Sequence, residues 1–141
     1  MARPAEFKRA ELILSSHQNA VRAKYLFKIV ATNPLENGNI IILTFPEETE
    51  LPDDDGAYAC ESSTVEYISK LACSTVPDKA RTVKMVPTLL RTIPSLETFE
   101  IEVNGILNPA STKPAGAVEI IIYSDSSQED ALNRDSGNLR V

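Results

Sequence analysis

The sequence has no tryptophan, one histidine, two cysteines and five glycines, and each scarcity closes off a class of function. His17 is the lone imidazole, so a Ser-His-Asp relay would have to be built around it. Ser15 and Ser16 precede it, but no GxSxG-type elbow surrounds any serine, and the Ser-Ser-His-Gln-Asn stretch reads as an exposed loop. The glycines (Gly38, Gly56, Gly105, Gly116, Gly137) are scattered singly, which excludes a glycine-rich phosphate loop. Cys60 and Cys73 have twelve residues between them, so a CxxC zinc or thioredoxin-like site is absent. No run approaches the roughly 18 apolar residues that a membrane-spanning helix needs. The first residues, Met-Ala-Arg-Pro-Ala-Glu-Phe-Lys-Arg, hold no apolar signal core. An N-x-[ST] sequon is also missing.

Positive charge is in deficit as well. The net charge is −6, which argues against nucleic acid and against an anionic membrane surface as partners. The basic residues thicken near the start (Arg3, Lys8, Arg9, Arg22, Lys24), but Glu6 and Glu11 interrupt them and the stretch reads as a solvated face. With eight aromatics in 141 residues, the core must be mainly aliphatic.

What is present is strand signal. Residues 11–15 are a short apolar run. In 24–31, Tyr25, Phe27, Ile29 and Ala31 share one face and Lys28 lies on the other, while Leu26 and Val30 suggest cover on both sides. Asn33-Pro34-Leu35-Glu36-Asn37-Gly38 is a turn with a mechanism, and the Ile-rich run 39–45 follows it, so the pair reads as a hairpin. Residues 47–56 are an acidic loop. Short strands are expected at 57–61, 71–76 and 82–86, the last with Val83 and Met85 opposite Lys84. Residues 62–70 stay open, because Val65, Ile68 and Leu71 would also suit a helical turn. Phe99-Glu100-Ile101-Glu102-Val103 alternates as a half-solvated antiparallel strand does. Residues 108–114 are a Pro/Ser/Thr loop, 117–123 an Ile-rich strand, 124–135 a polar connection, and 139–141 the start of a last strand. No internal repeat is visible.

These features predict an all-β fold: a two-sheet antiparallel β-sandwich, Ig-like, with seven to nine strands, forming a single domain over residues 1–141. Phe27, Ile29, Ile41, Leu43, Phe99, Ile101, Val103, Ile120 and Ile122 are expected together in its core. No catalytic residue and no bound cofactor are expected. The sharpest ionic feature is Asp53-Asp54-Asp55-Gly56, where adjacent carboxylates could gather oxygens around Ca²⁺. The alternate acidic spacing of an EF-hand is absent, so the run also reads as a solvated loop. Glu100 and Glu102 share a strand face, as a catalytic carboxylate pair would, but on an alternating strand they read as its wet side.

Three segments taken together resemble a known family. They are Tyr25-Leu-Phe-Lys-Ile with Asn33-Pro-Leu-Glu-Asn-Gly-Asn-Ile-Ile-Ile-Leu-Thr-Phe-Pro46, then Cys60…Cys73, then Phe99-Glu-Ile-Glu-Val-Asn-Gly-Ile-Leu-Asn-Pro109-Ala-Ser-Thr-Lys-Pro114. The pattern is similar to a repeated β-sandwich domain of very large surface proteins of ciliates and other protists, over residues 10–141. The resemblance implies a tandem, non-catalytic module of a filament, coat or adhesin, stabilised by a Cys60–Cys73 disulfide and cut from a larger chain. Such a bridge would contribute about 3 kcal/mol in the chain-entropy model. Neighbouring copies or tandem domains would be its partners, joined through residues 2–15 and 137–141. The expected place is extracellular or at the cell surface, or the cytoplasm if Met1 is the native start. The competing class is a glycan- or protein-binding adhesion module, calcium-assisted at Asp53, Asp54 and Asp55.

Overall fold

From Arg22 to Val30 every second residue is buried: Ala23, Tyr25, Phe27 and Ile29. A period of two carried by aromatic and branched side chains is what a strand with one face on a core requires. The alternation recurs where Phe99, Ile101 and Val103 are buried and Glu100 and Glu102 take the opposite face.

The computed structural model describes residues 5–15, 21–46, 48–49, 60–62, 64, 66–76, 79–108, 116–124 and 131–140. They form ten strands: β1 (Ala5–Glu6), β2 (Arg9–Leu14), β3 (Arg22–Val30), β4 (Ile40–Thr44), β5 (Cys60–Glu61), β6 (Ile68–Val76), β7 (Lys79–Leu89), β8 (Thr98–Leu107), β9 (Ala117–Tyr123) and β10 (Ala131–Arg140). Eight have five or more residues, in line with the expected seven to nine, and β1 and β5 are two-residue pieces. One sheet has the order β1-β10-β9-β4-β7-β6 and the other β2-β3-β8-β5. Every pairing is antiparallel except β1 with β10. The fold is an all-β sandwich, and all nine core residues expected from the sequence lie in one buried cluster between its sheets.

The expected hairpin of residues 24–31 with 39–45 does not form. β3 lies in the four-stranded sheet and β4 in the six-stranded one. The turn explains why. Asn39 N donates to Glu36 O at 3.1 Å, and of the turn residues only Gly38 has positive φ, at 95°. A two-residue hairpin of type I′ needs positive φ at both central positions, whereas positive φ at the second alone belongs to type II, which splays its arms. The side chains in this segment then bind other strands. The Asn37 amide donates to Leu89 O at 3.1 Å and accepts from Leu89 N at 2.7 Å, standing in for a ladder neighbour at the end of β7. Asn39 Oδ1 accepts from Glu36 N and its Nδ2 donates to Ser124 O.

A second segment crosses the opposite way, from β7 to β8. Residues 32–40 and 90–98 share one backbone pattern, and they hydrogen-bond to each other through Leu35 and Ile93, at 2.9 Å in both directions. In consequence β3 pairs with β8, and β4 with β7. No residue is identical between 32–45 and 90–103, so the correspondence was invisible as a repeat.

One open reading closes and one changes. Ile68, in the segment left open, belongs to β6, which runs on through the strand expected at 71–76. A register shift between Ile68 and Lys70 lets Ile68 and Leu71, three residues apart, both turn inward, and this bulge mimics helical spacing. Residues 131–135, expected as connection, open β10, whose two register shifts break the alternation that would have marked it.

Tyr25 is fully buried, and its hydroxyl donates to Asn108 Oδ1 at 2.6 Å. Burial pushes its phenol up from 10.0 to about 12. The unfolded chain therefore releases this proton first, so Tyr25 leaves stability unchanged below pH 10 and lowers it from there to about 12. Comparing the alkaline ultraviolet titration and melting of Tyr25→Phe with those of the original chain checks this. Phe99 is 1% exposed, and Phe99→Ala is expected to cost about 3–5 kcal/mol in denaturant unfolding.

Candidate functional site

The long sides of the sandwich are closed differently. On one, β1 edges the larger sheet and β2 the smaller, and residues 7–8 carry the chain across between them. On the other, β6 edges the larger sheet and β5 the smaller. Here Cys60 and Cys73 are joined in a disulfide with Cα atoms 6.2 Å apart. Sulfur thus does at one edge what backbone does at the other. Both cysteines are half-buried and packed against the core.

Because β5 is so short, it leaves part of β8 without a neighbouring strand. Two hydroxyls fill in: Ser62 Oγ donates to Glu100 O, and Glu100 N donates to Thr64 Oγ1 at 2.9 Å. These bonds cap an edge that would otherwise offer free donors and acceptors to another chain. Beside them a cleft of about 310 Å³ is lined by Glu61 and Ser62 on one side and Ser69, Lys70 and Leu71 on the other. It offers one carboxylate, one ammonium and hydroxyls, but no nucleophile paired with a base.

Glu100 and Glu102 face outward beside lysines: Lys28 Nζ is 3.7 Å from Glu100 and Lys24 Nζ 3.8 Å from Glu102. Ion pairs of this exposed kind contribute little, about 0–1 kcal/mol each. Among the described residues no group of three or more His, Cys, Asp or Glu could hold a metal ion. Asp53, Asp54 and Asp55 lie outside the described residues, as does His17. Among the described residues no helix is long and apolar enough to cross a membrane.

The ends of the sandwich carry what the sequence reading missed. At the pole where β3 passes to β4 and β7 to β8, Leu90 is 66% and Leu96 59% exposed. Arg91 stacks over the Tyr67 ring at 4.7 Å and approaches Glu66 at 3.9 Å. Leu90 N donates to Tyr67 O, which ties this loop to the start of β6. Leu96 has φ 68°, in the left-handed region that a bulky residue rarely adopts. No sequence signal set these leucines apart from core ones.

No family model matches the chain, and neither does any curated protein. Among the solved structures that overlap it are the following two. The crystal structure of BslA, a bacterial hydrophobin, is 14% identical, covers 94% of this chain and 98% of its own, and has a TM-score of 0.44. That of the human F-spondin reeler domain (fragment 2) is also 14% identical, covers 100% and 90%, and has a TM-score of 0.39. At such identity and overlap they decide neither family nor function.

Reduction is expected to lower the unfolding free energy by about 3 kcal/mol, since a bridge closing a short loop restricts mainly the unfolded chain. Melting with and without a reductant measures it, and non-reduced intact mass should be two hydrogens below the reduced value.

Proposed function

We propose that this chain is a non-catalytic structural module of an extracellular filament, coat or adhesin, which joins neighbouring copies or tandem domains end to end. The observation that carries the reading is the direction of the chain. Ala5 lies opposite Asn133, near the start of β10, and the Asn33 amide donates to Leu132 O there. The first strand therefore starts at the pole with the 32–39 and 90–97 loops. Arg140 lies opposite Ala117 at the other pole, where β8 passes to β9. If the module stands in a tandem array, strand ends at opposite poles would set its neighbours in a row along the strand axis. Had both ends met at one pole, neighbours would hang side by side.

Two further features support this reading. A disulfide persists in oxidising surroundings and is rare in the cytosol, which favours an extracellular place. The hydroxyls that cap part of β8 discourage strand pairing at that edge of the smaller sheet. The likeness of the Asn33–Pro46 and Cys60…Cys73 segments to modules of protist surface proteins points the same way.

Sedimentation velocity with small-angle scattering, from micromolar to millimolar protein in oxidising buffer, tests it. The expected result is weak, concentration-dependent association into particles that lengthen along one axis. A strictly monomeric chain at millimolar concentration would refute the reading, and so would compact side-by-side dimers.

A further inference from the structure

The shortest strand of the smaller sheet is also its least self-sufficient. β5 meets β8 at only two register positions, Cys60 with Val103 and Glu61 with Glu102. A strand of two residues is marginal on its own. The second pairing also sets two carboxylates directly opposite each other, which is destabilising across a ladder. Glu102 has little to offset this. Its Oε1 is shielded from solvent and accepts no hydrogen bond from the described residues, and Lys24 Nζ lies 3.8 Å from it. Among the described residues Glu61 has no ion-pair partner.

What keeps β5 in place comes from its other side. The Cys60–Cys73 disulfide ties it to β6 in the larger sheet. Beyond the bridge, Ser62 Oγ donates to Glu100 O and Thr64 Oγ1 accepts from Glu100 N. Glu100 thus turns its N–H and C=O toward this edge, and the alternation of an antiparallel ladder turns those of Glu102 the same way. The rest of the sandwich does not depend on β5, since β8 pairs along its other side with β3, and β6 pairs with β7. The bridge is also within reach of solvent. Both cysteines are half-buried, and Cys60 lines the cleft of about 310 Å³ between residues 60–62 and 68–71.

We infer that the Cys60–Cys73 disulfide is a reducible latch: once a dithiol opens it, the opposition of Glu61 and Glu102 drives residues 60–62 off β8, and the sandwich stays folded with that edge uncovered. The chemistry is thiol–disulfide exchange. A thiolate of the dithiol attacks Sγ of Cys60, the cysteine that lines the cleft, and Cys73 leaves as a thiolate and takes up a proton. The second thiol of the reductant then displaces Cys60 and closes the reductant's own disulfide. Two electrons and two protons pass to the protein, which gains two thiols. The backbone N–H and C=O of Glu102 lose their β5 partner, so the redox state sets whether this strand edge is covered. Chain direction and neighbouring copies play no part in it.

Amide hydrogen exchange followed by NMR tests it on the full chain, oxidised and after reduction with dithiothreitol, with intact mass confirming each state. In the oxidised chain the amides of Glu102, Leu35 and Ile93 should all be protected. In the reduced chain Glu102 should exchange within about tenfold of an unstructured amide, while Leu35 and Ile93, which bond to each other at the crossing, stay slower by about a hundredfold or more. Reoxidation should restore Glu102. The double variant Cys60→Ser with Cys73→Ser should show the reduced pattern without any reductant. Glu61→Lys places an ammonium opposite Glu102, so in its reduced form Glu102 should regain protection by about fivefold or more. Protection at Glu102 that survives reduction, or survives in the double variant, would overturn the inference. Loss of protection at Leu35 and Ile93 together with Glu102 would overturn it as well, since the bridge would then serve the whole fold. So would a reduced Glu61→Lys chain as open at Glu102 as the reduced original, because release would not depend on the opposed carboxylates.

Discussion

Two segments cross between the sheets in opposite senses, and where they pass, the backbones of Leu35 and Ile93 bond to each other. Buried backbone donors and acceptors have to be paired, and a strand leaving its sheet abandons its ladder partners. Here each crossing segment supplies the other's missing partner. Leu35 and Ile93 are each 1% exposed, so the crossing is also part of the core. Once β3 and β4 are assigned to different sheets, and β7 and β8 likewise, the pairing of β3 with β8 and of β4 with β7 follows. The remaining strands add at the sides of these pairs. Asn37 and Asn39 complete the arrangement, each using both ends of one amide to satisfy backbone that no strand reaches.

With the centre determined in this way, the edges become the problem. The larger sheet ends in β6 and in β1 beside β10, the smaller in β2 and β5. Chain continuity ties β1 to β2 within two residues. No such continuity ties β5 to β6, because six residues and a turn at Thr64 lie between them. The disulfide stands at this gap. Its loop is short in sequence, yet it links strands of different sheets, so its loss would loosen an edge and leave the crossing intact. The hydroxyls of Ser62 and Thr64 make the same point on a smaller scale, since both come from the segment that the disulfide anchors.

Strands whose alternation was unbroken were legible in the sequence. Tyr25, Phe27 and Ile29, and Phe99, Ile101 and Val103, announced both their strands and their buried faces. The sheet partner of a strand was not legible, because partners are chosen by crossings that depend on the sign of one dihedral. Asn37-Gly38 is the strongest short-range hairpin signal in the chain, and it failed because Gly38 alone, without Asn37, takes positive φ. Irregular register hid the rest. The bulge at Ile68 left helix and strand undecided, and the shifts in β10 imitated a loop. Of the candidate site residues, the cysteines were visible by type. Leu90 and Leu96 were not, since an exposed leucine and a buried one are written alike.

Function on such a scaffold has to lie where the fold's own demands stop. The outward faces of β3 and β8 are committed to lysine–glutamate pairs, and the disulfide edge to closing the sandwich. Positive φ gives a sharper criterion, because strain that serves the fold comes with its compensation in view. Arg81 shows it: its guanidine and its carbonyl each bond to a neighbouring segment. Leu96 has the backbone bonds while its side chain is largely exposed, and Gly38 does the same backbone work with no side chain at all. The difference between Gly38 and Leu96 is therefore not a requirement of the crossing. What is left over is a leucine held out to solvent beside the crossing, in a backbone conformation for which the other crossing uses glycine.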